Sequence, residues 1–355
     1  MKIVYKLLVL NVLIAIFILN SCIDPFEFER IEPAELLVVR GQFTTTQSEH
    51  RLQIGTSGEY KRAAFVPESG ALVELFAGDG SSAIYEEREA GDYYLTANSI
   101  RAVIGQSYFI KISLTDGRVY QSTPAILPAP VALDRIFFTI EDGFSANSLG
   151  VVLTKQFVNV GIEMTPPSRE DGPFIKWDTE NVYIFIDLSC EPMDPSRDCY
   201  ITDFPNAQDV FLYDGSNSIG GQLFQKTILV KRIDETHNYR QYYSVYQKSI
   251  TKDAHRYWSQ VDQIVNQVGS IFDVPPAPVR GNIFNPEDRD EIVLGYFEIS
   301  SADTLRITSD ARSIPFQQRG TARCGNVFRR PDPLPAGCCE CLTLENSTDV
   351  VPDYW

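Results

Sequence analysis

Apolar and polar residues alternate along most of this chain with the period of two that puts every second side chain on one face of a strand. Tyr108, Ile110, Ile112 and Leu114 share one such face, Asp116-Gly117 supplies a turn that tolerates positive φ, and Val119 begins a return strand. That spacing predicts a β-hairpin. Shorter strand patterns precede it, at Leu36 to Val39, Leu52 to Ile54, Ala71 to Ala77 and Asp92 to Leu95. Short strands separated by turn residues point to a small β-sandwich over 35–128. Pro124, Pro128 and Pro130 then interrupt any sheet interior and mark a domain boundary.

A larger β-rich domain is expected over 129–310. Val158, Val160, Ile162 and Met164 share a face, and so do Val182, Ile184, Ile186 and Leu188, with Tyr183 and Phe185 opposite. Gln225 to Ile233 and Glu291 to Ile299 read as further strands, and all need partners distant in sequence. One helix near 252–268 breaks the pattern: Ala254, Tyr257, Trp258, Val261, Ile264, Val265 and Val268 recur at three- and four-residue steps. Thr251 or Asp253 could cap it, and Gly269 would stop it. An apolar stripe of this kind is expected to pack on its own domain. The proline-rich run Val274 to Phe284 suits neither regular structure and is expected to be an extended surface segment.

The first 21 residues follow another rule. Lys2 and Lys6 precede an apolar run from Leu7 to Leu19, followed by Asn20-Ser21-Cys22. This is the order of a secretory signal, and the run is shorter than the about 20 apolar residues of a spanning helix. The Leu-x-Ser-Cys ending resembles a bacterial lipobox, which implies that Cys22 becomes lipidated and that membrane lipid is a partner through its acyl chains. An ordinary signal with a coincidental cysteine is the alternative. Residues 22–34, acidic and with Pro25 and Pro33, read as a tether.

The whole chain of 355 residues carries 31 basic and 47 acidic side chains and a formal charge of −16. Such a surface repels phosphate backbones, so nucleic acid is not an expected partner. Six cysteines follow Cys22, and an even count in an exported chain reads as disulfides. Proximity pairs Cys190 with Cys199, leaving Cys324, Cys338, Cys339 and Cys341 to tie down a cysteine-rich tail over 311–355. The tail cysteines could instead ligate zinc, but adjacent Cys338-Cys339 departs from the usual knuckle spacing. His50, His237 and His255 form no metal array, no Gly-x-Ser-x-Gly elbow occurs, and Asn285 to Glu291 lacks the ordered spacing of a calcium loop. No cofactor, metal or catalytic residue is nominated.

Cys22-Ile23-Asp24-Pro25-Phe26, the Pro275-Pro276 to Asn282 segment, Leu294-Gly295-Tyr296-Phe297, the clustered tail cysteines and the closing Pro352-Asp353-Tyr354-Trp355 together resemble one family, the Bacteroidota outer-membrane lipoproteins grouped as domain of unknown function 4249. The first domain also resembles the Ig-like, carboxypeptidase-regulatory-like β-sandwich. The resemblance implies a surface-exposed outer-membrane lipoprotein found with TonB-dependent β-barrel transporters. The expected function is therefore non-enzymatic: an accessory or ligand-capture partner of such a transporter or envelope complex. Trp258, Tyr257, Pro275, Pro276, Arg280 and Asn282 are the candidate partner-binding residues, because exposed aromatics and rigid extended backbone bind at low entropic cost. The alternatives are an envelope carbohydrate-active or peptide-processing hydrolase, which needs convergent carboxylates or a metal in an open cleft, and a structural or adhesive surface protein.

Overall fold

The computed structural model describes residues 35–46, 49–58, 65–96, 99–146, 149–168, 172–188, 190, 195–205, 209–218, 220–267, 279–310, 312–314, 324, 333–335 and 337–355. The signal segment, Cys22, the tether, Pro275 and Pro276 lie outside the described residues. The first third forms β1 (Leu37–Thr44), β2 (Glu49–Ser57), β3 (Phe65–Pro67), β4 (Leu72–Ala77), β5 (Ser82–Ile84), β6 (Glu86–Glu89), β7 (Asp92–Thr96), β8 (Ser107–Ser113), β9 (Val119–Ser122) and β10 (Ala125–Ile126). Next come β11 (Arg135–Ala146), β12 (Val152–Met164), β13 (Phe174–Ile186), β14 (Asp198–Asp203), β15 (Phe211–Asp214), β16 (Phe224–Arg232) and β17 (Gln241–Ile250). Helix α1 (Lys252–Gln267) separates these from β18 (Ile283–Phe284), β19 (Leu294–Ser309) and β20 (Ser347–Thr348).

The strands make a mainly β fold of three sheets. An 11-stranded sheet runs β20-β14-β13-β17-β19-β1-β2-β7-β6, with β15 beside β13 and β3 beside β2. A 6-stranded sheet runs β18-β9-β8-β4-β5 with β10 on β8, and a 3-stranded sheet runs β11-β12-β16. Alternation decides how they stack. On β19, Phe297 and Ile299 enter one core with Val39, Phe43, Leu52, Tyr108 and Ile110, which closes the first sandwich. Leu305 and Ile307, on the same side of the same strand, pack on a second core with Val158, Val160, Ile162, Trp177 and Tyr243. Both smaller sheets therefore cover one face of the large sheet, and its even-numbered β19 positions face the other way.

The first sandwich is not made from local sequence alone. β1 lies parallel to β19, in register from Val38 opposite Leu294 to Thr44 opposite Ser300. Ile283 and Val293 also enter its core. The Leu294-Gly295-Tyr296-Phe297 stretch has a steric role there: Gly295 has φ 90°, and a Cβ on it would sit 2.0 Å from the Val39 carbonyl oxygen. The predicted hairpin appears as β8 and β9, with Gly117 at φ 93° in its turn.

Helix α1 is capped by Thr251, whose hydroxyl accepts from the Ala254 amide at 3.2 Å. Its Ala254, Tyr257 and Trp258 pack on Phe174, Ile250 and Tyr296 of the large sheet. Val268 and Gly269, its expected end, fall outside the described residues. No helix among the described residues is long and apolar enough to cross a membrane.

The expected Cys190–Cys199 bridge is corrected by the structure. Cys190 pairs with Cys339, Cys199 with Cys341, and Cys324 with Cys338. Register explains this: Phe185 lies opposite Cys199 in the β13–β14 ladder, so Cys190 sits beyond the end of β13 at Ile186. The tail crosses that end, and β20 extends the sheet by pairing with β14.

Candidate functional site

The face of the large sheet turned away from both cores is polar. Lys176, Asp178 and Glu180 alternate along β13, beside Lys248, Tyr246 and Ser244 of β17 in matching register. Across β17 lie Ala302, Thr304 and Arg306 of β19. Gln42 and Thr44 of β1 stand opposite Glu298 and Ser300. Helix α1 covers one end of this face. The tail covers another part, with Tyr354 and Trp355 packed on Tyr242 at ring distances of 5.3 Å and 4.9 Å. Between them opens a cleft of about 640 Å³, walled by Thr46, Glu49, Phe204, Asp209 and Phe211.

Asp178 and Lys248, which line the cleft, belong to a compensated ion cluster completed beneath the surface by Lys176 and Glu298. Lys176 Nζ lies 3.0 Å from Asp178 Oδ1 and 3.5 Å from Glu298 Oε2. Lys248 Nζ bonds the Asp178 carboxylate, donates to Gln42 Oε1 at 2.6 Å and lies 3.9 Å from Glu298 Oε1. Two ammonium groups thus face two carboxylates. Burial opposes the Lys176 charge, but Asp178 and Glu298 outweigh it and push the pKa up to about 12. Burial likewise opposes the Asp178 charge, yet the two lysines hold the carboxyl well below its usual range. Trp258 closes the cluster: its Nε1 donates to Glu298 Oε2 at 2.7 Å and its ring lies 4.3 Å from Lys176 Nζ.

Further along the floor, Tyr246 donates its hydroxyl to Glu180 Oε1 at 2.5 Å. Burial and then Glu180 push that phenol above its usual range. Arg306 lines the cleft and stacks its guanidinium 4.2 Å from the Tyr354 ring. Thr44 Oγ1, buried in the wall, has no hydrogen-bond partner among the described residues. Phe204, half exposed, adds an apolar surface at the rim. The arrangement offers fixed polar groups and an aromatic edge, with Glu49, Asp178, Glu180 and Asp209 set against Lys248 and Arg306 in the lining. Among the described residues no group of three or more His, Cys, Asp or Glu side chains could hold a metal ion.

Of the residues singled out from sequence, Tyr257, Arg280 and Asn282 come together in a second groove of about 510 Å³ between α1, the 280–282 segment and Ile126. Trp258 points elsewhere, into the ion cluster. Asn282 is occupied by the fold, since its amide donates to the Phe297 carbonyl and accepts from the Phe297 amide, both at 2.9 Å. Arg280 reaches the Asp290 carbonyl at 3.4 Å. Gly281 allows the close approach: a Cβ there would lie 1.6 Å from the Gly295 carbonyl oxygen. His255 packs against Phe174 with ring centroids 5.2 Å apart, and burial lowers its pKa. Pro275 and Pro276 lie outside the described residues, as does Cys22.

The sequence reading missed Lys176, Asp178, Lys248 and Glu298. Their signal is present for Lys176 and Asp178, which alternate with Ile175 and Trp177, and for Glu298 between Phe297 and Ile299, but not for Lys248 between Gln247 and Ser249. Alternation alone reads as a solvated strand face, and only the β13-β17-β19-β1 pairing makes four such faces one floor.

No curated protein matches the chain. The profile of one family, described as domain of unknown function (DUF4249), matches residues 23–306. That span runs from just after Cys22 through the first sandwich, α1 and the cleft-lining part of β19, so this chain belongs to the DUF4249 family.

Proposed function

We propose that this chain is a non-catalytic ligand-capture lipoprotein of the Bacteroidota outer membrane, held by acylated Cys22 and acting beside a TonB-dependent β-barrel or another envelope complex. The observation that carries the reading is the polar cleft, whose lining residues Asp178 and Lys248 are held in place by the buried partners Lys176 and Glu298. With Glu49, Asp178, Glu180 and Asp209 set against Lys248 and Arg306, the lining gives an anionic ligand no net Coulombic gain for its desolvation cost, whereas a neutral hydrogen-bonding ligand meets fixed donors and acceptors. Neutral oligosaccharides and uncharged peptides fit that chemistry. Asp178, held ionised by two lysines, serves as an anchor and not as a proton donor. Lipid attachment confines the cleft near its membrane partner, so each contact can be modest in affinity.

Two measurements test this. Calorimetric titration with neutral oligosaccharides and uncharged peptides should give binding that varies little with salt and weakens at least about tenfold in Phe204→Ala. Preferred, salt-sensitive binding of their charged analogues would overturn the ligand class. A mild-detergent pull-down from native outer membranes should recover one β-barrel protein with the wild type and lose it with Cys22→Ala. Recovery of the chain alone would sink the accessory role.

A further inference from the structure

The β11–β12 hairpin extends past its sheet. β16 pairs with β12 only from Phe157 to Met164, so β12 from Val152 to Gln156 and the facing part of β11 form a two-stranded arm. From Gly143 to Thr154 the sequence holds no charged residue, in a chain of net charge −16. Asp142 and Lys155 stand at the base of that stretch. The described apolar residues towards its end are exposed: Phe144 78%, Leu149 84%, Val151 51%, Val152 63% and Leu153 40%. A soluble surface normally scatters such side chains singly.

We infer that the tip of this arm dips into the headgroup layer of a lipid surface. The register decides between lipid and a protein groove. Val152 lies opposite Ala146, and Thr154 opposite Phe144, so Phe144 and Val152 share one face of the ribbon. Leu153, opposite Ser145, projects from the other. A rigid groove buries one face of a ribbon, while a fluid apolar layer receives both. Depth agrees as well. From Asp142 to Ala146 a strand rises about 13 Å, enough to carry the tip the roughly 5–10 Å of an interfacial element while the charged base stays in water. The acidic chain favours zwitterionic over anionic lipid. The inference does not depend on lipidation of Cys22.

Every described element begins at residue 35 or later, so the unlipidated chain 23–355 is the test protein. It should float with phosphatidylcholine vesicles, and Phe144→Ser with Leu149→Ser should cut the bound fraction at least about tenfold with an unchanged unfolding midpoint. Leu149→Trp should shift its emission to the blue when vesicles are added. No flotation, flotation unchanged in the double variant, or no emission shift would overturn the inference. A tip-dependent dimer by light scattering in the absence of vesicles would also overturn it, by assigning the surface to a second copy.

Discussion

At the scale of single residues, burial of ionisable groups sets how this protein responds to pH. His50 is buried in the first sandwich with its ring 4.7 Å from Phe43, and its Nδ1 has no partner among the described residues. Burial lowers its pKa to about 4, against a small opposing effect of Glu49. The unfolded chain therefore binds the extra proton between about pH 6.5 and 4, and stability falls as pH drops through that window. Urea denaturation at pH 7.5 and 4.5 should show this loss shrinking by about 2–3 kcal/mol in His50→Phe. His255, also lowered by burial, contributes in the same direction and remains in that variant. Asp178 acts in a different range. Its depressed pKa gives stability that is present above the unfolded carboxylate value of 3.8 and is lost only as pH falls towards its lower folded value. An undiminished loss between pH 7.5 and 4.5 in His50→Phe would refute the assignment to His50.

Elements tie the chain together through edges and staples. The bridges Cys190–Cys339 and Cys199–Cys341 close loops of nearly equal length, with separations of 149 and 142 residues. With one in place, the other constrains only a short ring around 190–199 and 339–341. Removing either pair alone, as serines, should cost about 3 kcal/mol, and removing the second pair as well a further ~5 kcal/mol, on the chain-entropy account. Equal, additive losses in denaturant melts would contradict the shared-loop picture. Short-range elements were legible beforehand for a physical reason. The β8–β9 hairpin is fixed by its own alternation and its Asp116-Gly117 turn, and α1 by its apolar stripe and the Thr251 cap. The cysteine pairing was not, because it depends on Phe185, and not a cysteine, standing opposite Cys199.

Across the whole molecule, the parallel contact of β1 with β19 makes the two ends of the chain interdependent. Phe297, Ile299, Ile283 and Val293 complete the core of a sandwich whose other strands come from the first third. A fragment of residues 35–128 should therefore lack dispersed amide resonances and a cooperative melt, whereas the chain 23–355 keeps both. A well-dispersed spectrum for the fragment would show that β19 is dispensable to that core.

Sequence by itself determined the strand-rich class, the single amphipathic helix, the acidic balance and an even set of cysteines after Cys22. These follow from side-chain period, local turn chemistry and composition, which act over a few residues or over none. Only the tertiary structure decided which strands are neighbours. That choice turned Lys176, Asp178, Lys248 and Glu298 from ordinary polar positions into one charge-balanced cluster at the cleft. It also gave the touching rings of Trp258 and Tyr257 different surroundings, one reaching the ion cluster and the other lining a groove with Arg280 and Asn282. The reason is that strand pairing joins segments up to hundreds of residues apart, as β1 and β19 show, and periodicity carries no information about the partner.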